Sequence, residues 1–473
     1  MFELRLGDCM DPATGLGSLA NSSVDAMVTD PPAGIGFMGK EWDGDRGGRV
    51  EWIAWLRSIM QECLRVLKPG AHALVWAIPR TSHWTAAAIE EAGFEIRDVV
   101  THHFGTGFPK SKNISKAIDA ALGAEREVVG VKIDIKTGRP MSLKQARRGS
   151  SGISDGWDRP CQVTEDFQRS NISITAPATP EAAKWEGWGT ALKPATEHWI
   201  LARKPLADTV AANVLAHGTG GINVDACRIA GPPSVGGSKA GSDALGLVNE
   251  RRMGGESESI DRSISQGRWP ANLVLSHSPE CMEAIDGTPR GCVPGCPVAE
   301  IDAQSGPLKS GAKRPSEGRQ GDVSYGKGLG SAPSAASQGA ASRFFYTAKP
   351  STSEREEGLA RLPKKSGPEI TGREGGTAGI ESARSGAGRS SKGRANYHPT
   401  VKSIDLMSWL IKLISPPGAT ILDPFAGSGT TGVAAAQLER KFVGWEREPE
   451  YHAIALERLK HATKQLTIFG GAG

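Results

Sequence analysis

Apolar residues recur with regular periods at the two ends of the chain and lose them in the middle. Val24–Thr29 is a short apolar run that stops at Asp30-Pro31-Pro32, which predicts a strand ending in a proline turn. Over 51–67 the residues Ile53, Leu56, Ile59, Met60, Cys63, Leu64 and Leu67 follow a helical period, and Lys68-Pro69-Gly70 closes it. Residues 71–77 read as a buried strand, 82–92 as a helix and 94–100 as another strand. Strands alternating with helices predict a doubly wound parallel sheet. The pattern dissolves over 130–184 and resumes at 199–202. It breaks again at 230–268 and 303–342, where Gly and Ser dominate. Near the far end a helix is predicted over 404–414, a strand over 419–422 and a helix over 430–438. A strand over 442–445 and a helix over 449–461 follow.

Composition agrees with much loop. Gly and Pro number 60 and 30 of 473 residues, above the usual share. No apolar run approaches the length of a membrane span, and the first residues lack the pattern of a secretory signal, so a cytoplasmic protein is expected. Seven Cys in so long a chain do not make a disulfide scaffold. The net charge of +4 conceals an uneven distribution. Residues 139–160, 307–343 and 361–395 together carry an excess of Lys and Arg, while the remainder is mildly acidic. Basic Gly/Ser-rich strips on an acidic body suggest a polyanion partner, and solvated loops are the plainer alternative. Residues 361–395 have no apolar period and read as a mobile loop.

Asp423-Pro424-Phe425-Ala426-Gly427-Ser428-Gly429-Thr430-Thr431-Gly432 follows a predicted strand and opens a predicted helix. Its glycines fit G-x-G-x-x-G, and Glu446 falls at the end of the next strand. Glycines let a backbone approach its ligand, free helix N–H groups face it, and a strand-end carboxylate accepts ribose hydroxyls. Taken alone, the motif leaves a nicotinamide dinucleotide and an adenosyl cofactor both open. Only 41 residues follow Gly432, so the sheet must be completed by the N-terminal half. A dinucleotide fold normally begins with its glycine loop, which weakens that reading.

Seven segments carry a resemblance. They are residues 29–43 (from Thr29-Asp30-Pro31-Pro32-Ala33 to Trp42-Asp43), 105–111, 188–195, 267–272, 342–346, 398–402 and 423–432. On these the chain resembles DNA amino-methyltransferases of the permuted, beta group, of the site-specific phage and prophage type. The resemblance implies a Rossmann-like α/β methyltransferase sheet with permuted motif order and a loop-rich inserted target-recognition region. It places residues 1–206 as the N-terminal half of the methyltransferase domain, with an insertion at 131–184, and 207–341 as the target-recognition region. Residues 342–467 become the C-terminal half.

The implied reaction is methyl transfer from S-adenosylmethionine to an exocyclic amine of double-stranded DNA, with the target base flipped out. The amine lone pair is delocalised into the ring, so acceptors on its N–H groups must direct it. The resemblance gives that part to Asp30 and the Pro31 carbonyl within Asp30-Pro31-Pro32-Ala33. It assigns the cofactor to Asp8, Cys9, His398, Pro399, Thr400 and Lys402, with Asp423, Phe425, Gly427, Ser428, Gly429, Thr430 and Glu446 from the glycine loop and next strand. Adenine N6 is favoured because Asp begins the Pro-Pro motif. Cytosine N4 stays open, as does a DNA-binding relative with weakened catalysis. Homodimer formation and a cognate restriction enzyme are left open.

Two positions depart from the family. Ser403 replaces a usual proline, and Ala33 stands where the family has an aromatic ring that stacks on the flipped base, a contact of roughly 1–3 kcal/mol. Either Ala33 is an engineered change that weakens catalysis, or a neighbour such as Phe37 or Trp42 supplies the stack. Arg228, Arg251, Arg252 and Arg268 are candidates for DNA contacts, each with the plainer reading of a solvated arginine. Finally His277, Cys281, Cys292 and Cys296 form two close pairs separated by a loop, a spacing that suits structural zinc. Reduced cysteines in a loop-rich segment are the alternative.

Overall fold

The structure is a computed structural model and describes residues 2–37, 41–105, 111–131, 173–230, 234–235, 264–265, 267–278, 281–283, 289–293, 296–310, 337–348, 353–366, 369–370 and 393–469. Arg251, Arg252, Cys161 and most of the three basic strips lie outside them, as do parts of the 29–43 and 105–111 segments. Among the described residues, nine strands form the main sheet. In chain order they are β1 (Phe2–Leu6), β2 (Val24–Thr29), β3 (Leu67–Ala77), β4 (Glu95–His103), β5 (Thr196–Arg203), β6 (Leu273–Ser276), β7 (Tyr346–Ala348), β8 (Thr420–Asp423) and β9 (Lys441–Glu446). Their spatial order is β1-β9-β8-β2-β3-β5-β4-β6-β7. The helices used below are α1 (Arg49–Val66), α2 (Ser82–Glu91), α3 (Ile114–Ala121), α4 (Pro180–Lys184), α5 (Val210–His217), α6 (Pro297–Ser305), α7 (Ile404–Ile414), α8 (Thr430–Gln437) and α9 (Pro449–Phe469). No helix among the described residues is long and apolar enough to cross a membrane.

The alternation of side chains along each strand divides the core between two faces. Ala26 and Val28 of β2, with Leu74 and Trp76 of β3, join α7 and α8 in one buried cluster. Met27, Ala73 and Val75 point the other way and join α1 and α2. Each fully buried Leu or Ile contributes about 1.5–3 kcal/mol. Both faces are therefore covered, as a doubly wound sheet requires, and central strands read as continuous apolar runs.

The order also shows that the two chain ends share one sheet. β8 and β2 pair in parallel through Ile421 with Ala26 and Leu422 with Met27. From β8 the chain passes through α8 to β9 on one side, while from β2 it passes through α1 to β3 on the other. This divergence opens a crevice at the carboxyl ends of β8 and β2, the usual ligand position in such sheets.

Several predicted elements shift. The sheet is not wholly parallel, because β5 runs antiparallel to both β3 and β4. Its apolar run carries no sign of direction, so only pairing decides it. Lys68-Pro69-Gly70 does not separate helix from strand: β3 starts at Leu67, which pairs with Val24. The Pro69 carbonyl instead accepts from Asn213 Nδ2 and Thr219 Oγ1 at 2.9 and 2.5 Å, where a ladder would otherwise be interrupted. Strands β1, β6 and β7 were not expected, being short and supported only by their neighbours.

Residues 207–341 are not detached from the sheet. Their strand β6 lies between β4 and β7, and Cys227 sits in the core against α7. Across the 131–184 insertion, Val128–Val131 before it pairs with Ser173–Thr175 within it, and buried Asp119 of α3 accepts from Thr179, the N-cap of α4, and from Arg126.

Candidate functional site

A cleft of about 1150 Å³ opens at the carboxyl ends of β1, β9, β8, β2 and β3. Because β5 is reversed, its first residues, Thr196 and Glu197, lie at this same end, opposite His103 and His102 of β4. The volume exceeds the usual range for one small ligand, so the cleft has room for a cofactor beside a second group.

Asp30 follows β2 directly, and Pro31, Pro32 and Ala33 line the cleft after it. Lys402 Nζ lies 3.0 Å from Asp30 Oδ2 and 3.9 Å from Glu197 Oε1, and it stands 4.0 Å over the Trp76 ring. Burial raises the Asp30 carboxyl to about 6, against the opposing pull of Lys402. For Glu197, burial acts in the same upward direction, but Lys402 and His102 outweigh it and bring the group to about 2. The two carboxylates in turn overcome burial and raise Lys402. The chain of contacts continues outward: His102 Nδ1 is 3.3 Å from Glu197 Oε2, and its Nε2 is 2.7 Å from Ser276 Oγ.

The loop after Ala33 is organised by buried Asp43. Its carboxylate accepts from the backbone N–H groups of Ala33, Gly34 and Phe37, at 2.5, 3.2 and 2.7 Å. Gly34 adopts φ +71°, and a Cβ there would meet the Trp52 indole at 2.6 Å, so the turn accepts only glycine. Thr81 Oγ1 donates to the Ala33 carbonyl at 3.0 Å. Phe37 and Trp42 both line the cleft. Trp42 stacks on His398, with centroids 6.4 Å apart and planes 20° from parallel, and its buried Nε1 has no hydrogen-bond partner among the described residues.

On the other side lies the glycine loop. Asp423, at the end of β8, accepts from Thr29 Oγ1 at 2.7 Å and from Thr431 Oγ1 at 2.6 Å, which ties β2 and α8 to the loop. Burial raises Asp423 to about 6 in spite of these donors. Gly427 adopts φ +54°, and a Cβ there would come within 3.0 Å of His398 Nε2. Phe425, Ser428 and Thr430 also line the cleft. Gly429 does not: a Cβ on it would meet Ala455 of α9 at 2.9 Å, so its part is close packing of the helix.

Glu446, ending β9, is raised to about 7 by burial, partly offset by backbone N–H groups of Glu448 and Gly427. Asp8 and Cys9 follow β1 and reach the cleft. Burial, then the charge of Asp8, pushes the Cys9 thiol to about 12, so it is inert as a nucleophile. His398, Pro399 and Thr400 line the cleft with Lys402, and burial, then Arg355, lowers His398 to about 3.

Arg228 and Arg268 lie apart from the cleft. Arg228 pairs with Asp225 at 2.7 Å and lies 5.5 Å over Trp269. Arg268 donates to the carbonyls of Ala230 and Arg343, and shares the Phe344 ring with Arg343. His277, Cys281, Cys292 and Cys296 converge, with one ligand atom from each within 4.8 Å of all the others.

Three contributors were missed in the sequence. Glu197 lies two residues before the apolar run Trp199–Ala202 of β5, a charge that could have drawn notice. Arg458 of α9 is buried and donates to Ser428 O at 2.7 Å and Thr430 Oγ1 at 3.0 Å. Arg355 donates to the carbonyls of Asn396 and His398. Both arginines read as surface charges in their helical or loop context, so no local pattern marks them.

A sequence model of a family described as DNA methylase matches residues 24–160 and 341–457. The type II methyltransferase M2.DpnII of Streptococcus pneumoniae is 48% identical over 66 residues, which are 14% of this chain and 25% of that one. M.HindIII of Haemophilus influenzae, also a type II methyltransferase, is 46% identical over 63 residues, 13% of this chain and 20% of that one. The matched stretches thus span about a quarter or less of these curated relatives. Among solved structures, the M1.HpyAVI–SAM complex aligns over 97% of this chain and 99% of its own, at 15% identity and a TM-score of 0.35.

Proposed function

The chain belongs to the N6/N4 DNA methylase family, and from that premise we propose that it methylates an exocyclic amine of double-stranded DNA with S-adenosylmethionine as donor. One observation carries the reading. The Asp30 carboxylate and the glycine loop of β8 open into the same cleft, although they come from opposite ends of the chain.

The residues present fit an adenosyl cofactor. Gly427 leaves a space against His398 that a Cβ would fill, and Glu446 supplies a carboxylate at the end of β9 for ribose hydroxyls. When bound, S-adenosylmethionine supplies an electrophilic sulfonium methyl. The chain's own groups do the rest. Lys402 holds Oδ2 of Asp30 and keeps the carboxylate charged, so that Oδ1 and the Pro31 carbonyl accept the two amine N–H groups. Held this way, the amine lone pair is turned out of conjugation and toward the methyl. Neither a metal nor a covalent enzyme intermediate is part of this scheme.

Phe37, whose N–H Asp43 holds, and Trp42, stacked on His398, supply the ring that Ala33 lacks. Residues 1–206 and 342–467 serve as the two halves of the catalytic domain, and 207–341 as the target-recognition region, with Arg228 and Arg268 its candidates for DNA contacts. Adenine N6 is the favoured target because Asp begins the Pro-Pro motif.

The test is nucleoside analysis of duplex DNA incubated with the purified chain and labelled cofactor. N6-methyladenine, absent with Asp30→Ala, is the expected product. N4-methylcytosine would replace adenine by cytosine. No methylation, with cofactor and DNA both bound, would leave a DNA-binding relative whose catalysis is lost at Ala33.

A further inference from the structure

We propose that His277, Cys281, Cys292 and Cys296 hold a structural zinc ion that pins the outer edge of the sheet to α6. His277 immediately follows β6, and its N–H donates to the Ala348 carbonyl of β7 at 3.2 Å. Cys296 is the N-cap of α6 and is fully buried. The two residues come from elements that meet only in the folded chain, so spacing alone does not bring them together.

The distances are those that tetrahedral metal ligation requires. His277 Nδ1 lies 3.5 Å from Cys292 Sγ and 3.4 Å from Cys296 Sγ. One ring nitrogen thus faces two sulfurs at once. Tetrahedral zinc with Zn–S and Zn–N bonds of about 2.3 and 2.0 Å would hold such a nitrogen and sulfur ~3.5 Å apart. Three thiols with one imidazole suit zinc over hard cations, which take oxygen ligands. Four protein ligands leave no open position, so the ion would be structural rather than catalytic.

An ion would add to the support of this segment. The apolar cluster here is small, with Leu275, Cys296 and Val298 its buried members among the described residues. An ion contributes its binding free energy directly to the folding of the segment that holds it. What it would steady is specific. From α6, the Asp302 carboxylate accepts from Ser342 N and Oγ at 2.9 and 2.8 Å. The next two residues, Arg343 and Phe344, form the cation–π stack with Arg268.

The test uses the full chain, purified without chelator, and a cobalt-reconstituted sample. About one zinc per chain is expected, with the strong visible bands of tetrahedral thiolate-bound cobalt. Cys292→Ser should lose most of the metal and become sensitive to protease over residues 267–306, while S-adenosylmethionine binding by calorimetry stays within about twofold. Cys63→Ala, at a cysteine of α1 outside the cluster, should retain the metal. Protein that takes up neither zinc nor cobalt, or a Cys292→Ser variant that keeps both, would overturn the site. These readouts do not depend on methyl transfer, so they stand or fall apart from the enzymatic reading.

Discussion

Lys402 Nζ lies 3.0 Å from Asp30 Oδ2, joining a residue just before α7 to one just after β2 across the seam of the permuted sheet. The contact leaves the second carboxylate oxygen for a ligand and offsets the cost of burying the charge. Asp30→Ala should reduce methylation by about 10³-fold or more while cofactor affinity changes little, since the acceptor acts on the amine in the transition state. Single-turnover rates and calorimetry separate the two. A large loss of cofactor binding would place Asp30 in the wrong part of the cleft.

The acid limb of the pH profile follows from the same pair. Asp30 is raised to about 6 by burial, so its ionised form is complete well above that pH and is lost as pH falls through it. The rate of the chemical step should fall about tenfold per unit below pH 6. Lys402 pulls the carboxyl downward, so Lys402→Met should move the limb to higher pH. A limb that moves lower in this variant would contradict the pairing.

Trp42 stacks on His398 at the cleft wall, beside Phe37 on the loop that Asp43 holds. If this loop supplies the stack that Ala33 cannot, Trp42→Ala or Phe37→Ala should cost roughly 1–3 kcal/mol, about 5- to 150-fold in kcat/KM. Ala33→Tyr should then add little. Restoration of a much faster rate by Ala33→Tyr would show that the loop does not substitute for the missing ring.

Arg458 braces the glycine loop from behind through Ser428 O and Thr430 Oγ1. Arg458→Met removes charge-assisted hydrogen bonds from buried acceptors and should destabilise the fold by about 2 kcal/mol. Cofactor Kd should rise at least tenfold, while DNA affinity stays close to that of the parent. Denaturant unfolding and calorimetry read the two effects.

The excess of basic residues in 139–160, 307–343 and 361–395 predicts salt-sensitive DNA binding. Affinity should fall steeply with salt, with a log–log slope of several units set by the phosphates neutralised. A flat dependence would return these strips to solvated loops.

Much of the site was legible because its motifs are local. Asp30-Pro31-Pro32 requires a strand end and a turn, the run from Asp423 to Gly432 a strand end, a turn and a helix start, and those requirements leave marks on adjacent residues. Lys402 was legible only through the family pattern, and Glu197, Arg355 and Arg458 were not legible at all. Their contacts depend on what faces them in the fold, and no period in the chain records that.

The sequence by itself determined the two apolar halves, the glycine loop, the proline turn and the set of soft ligands between 277 and 296. These are matters of short-range backbone conformation and residue chemistry. Only the tertiary structure decided that β5 runs backward, that β6 enters the sheet, and that Glu197 meets Lys402. Strand direction and pairing are set by burial and hydrogen-bond partners contributed by distant segments. A short apolar run looks the same whichever way it is threaded.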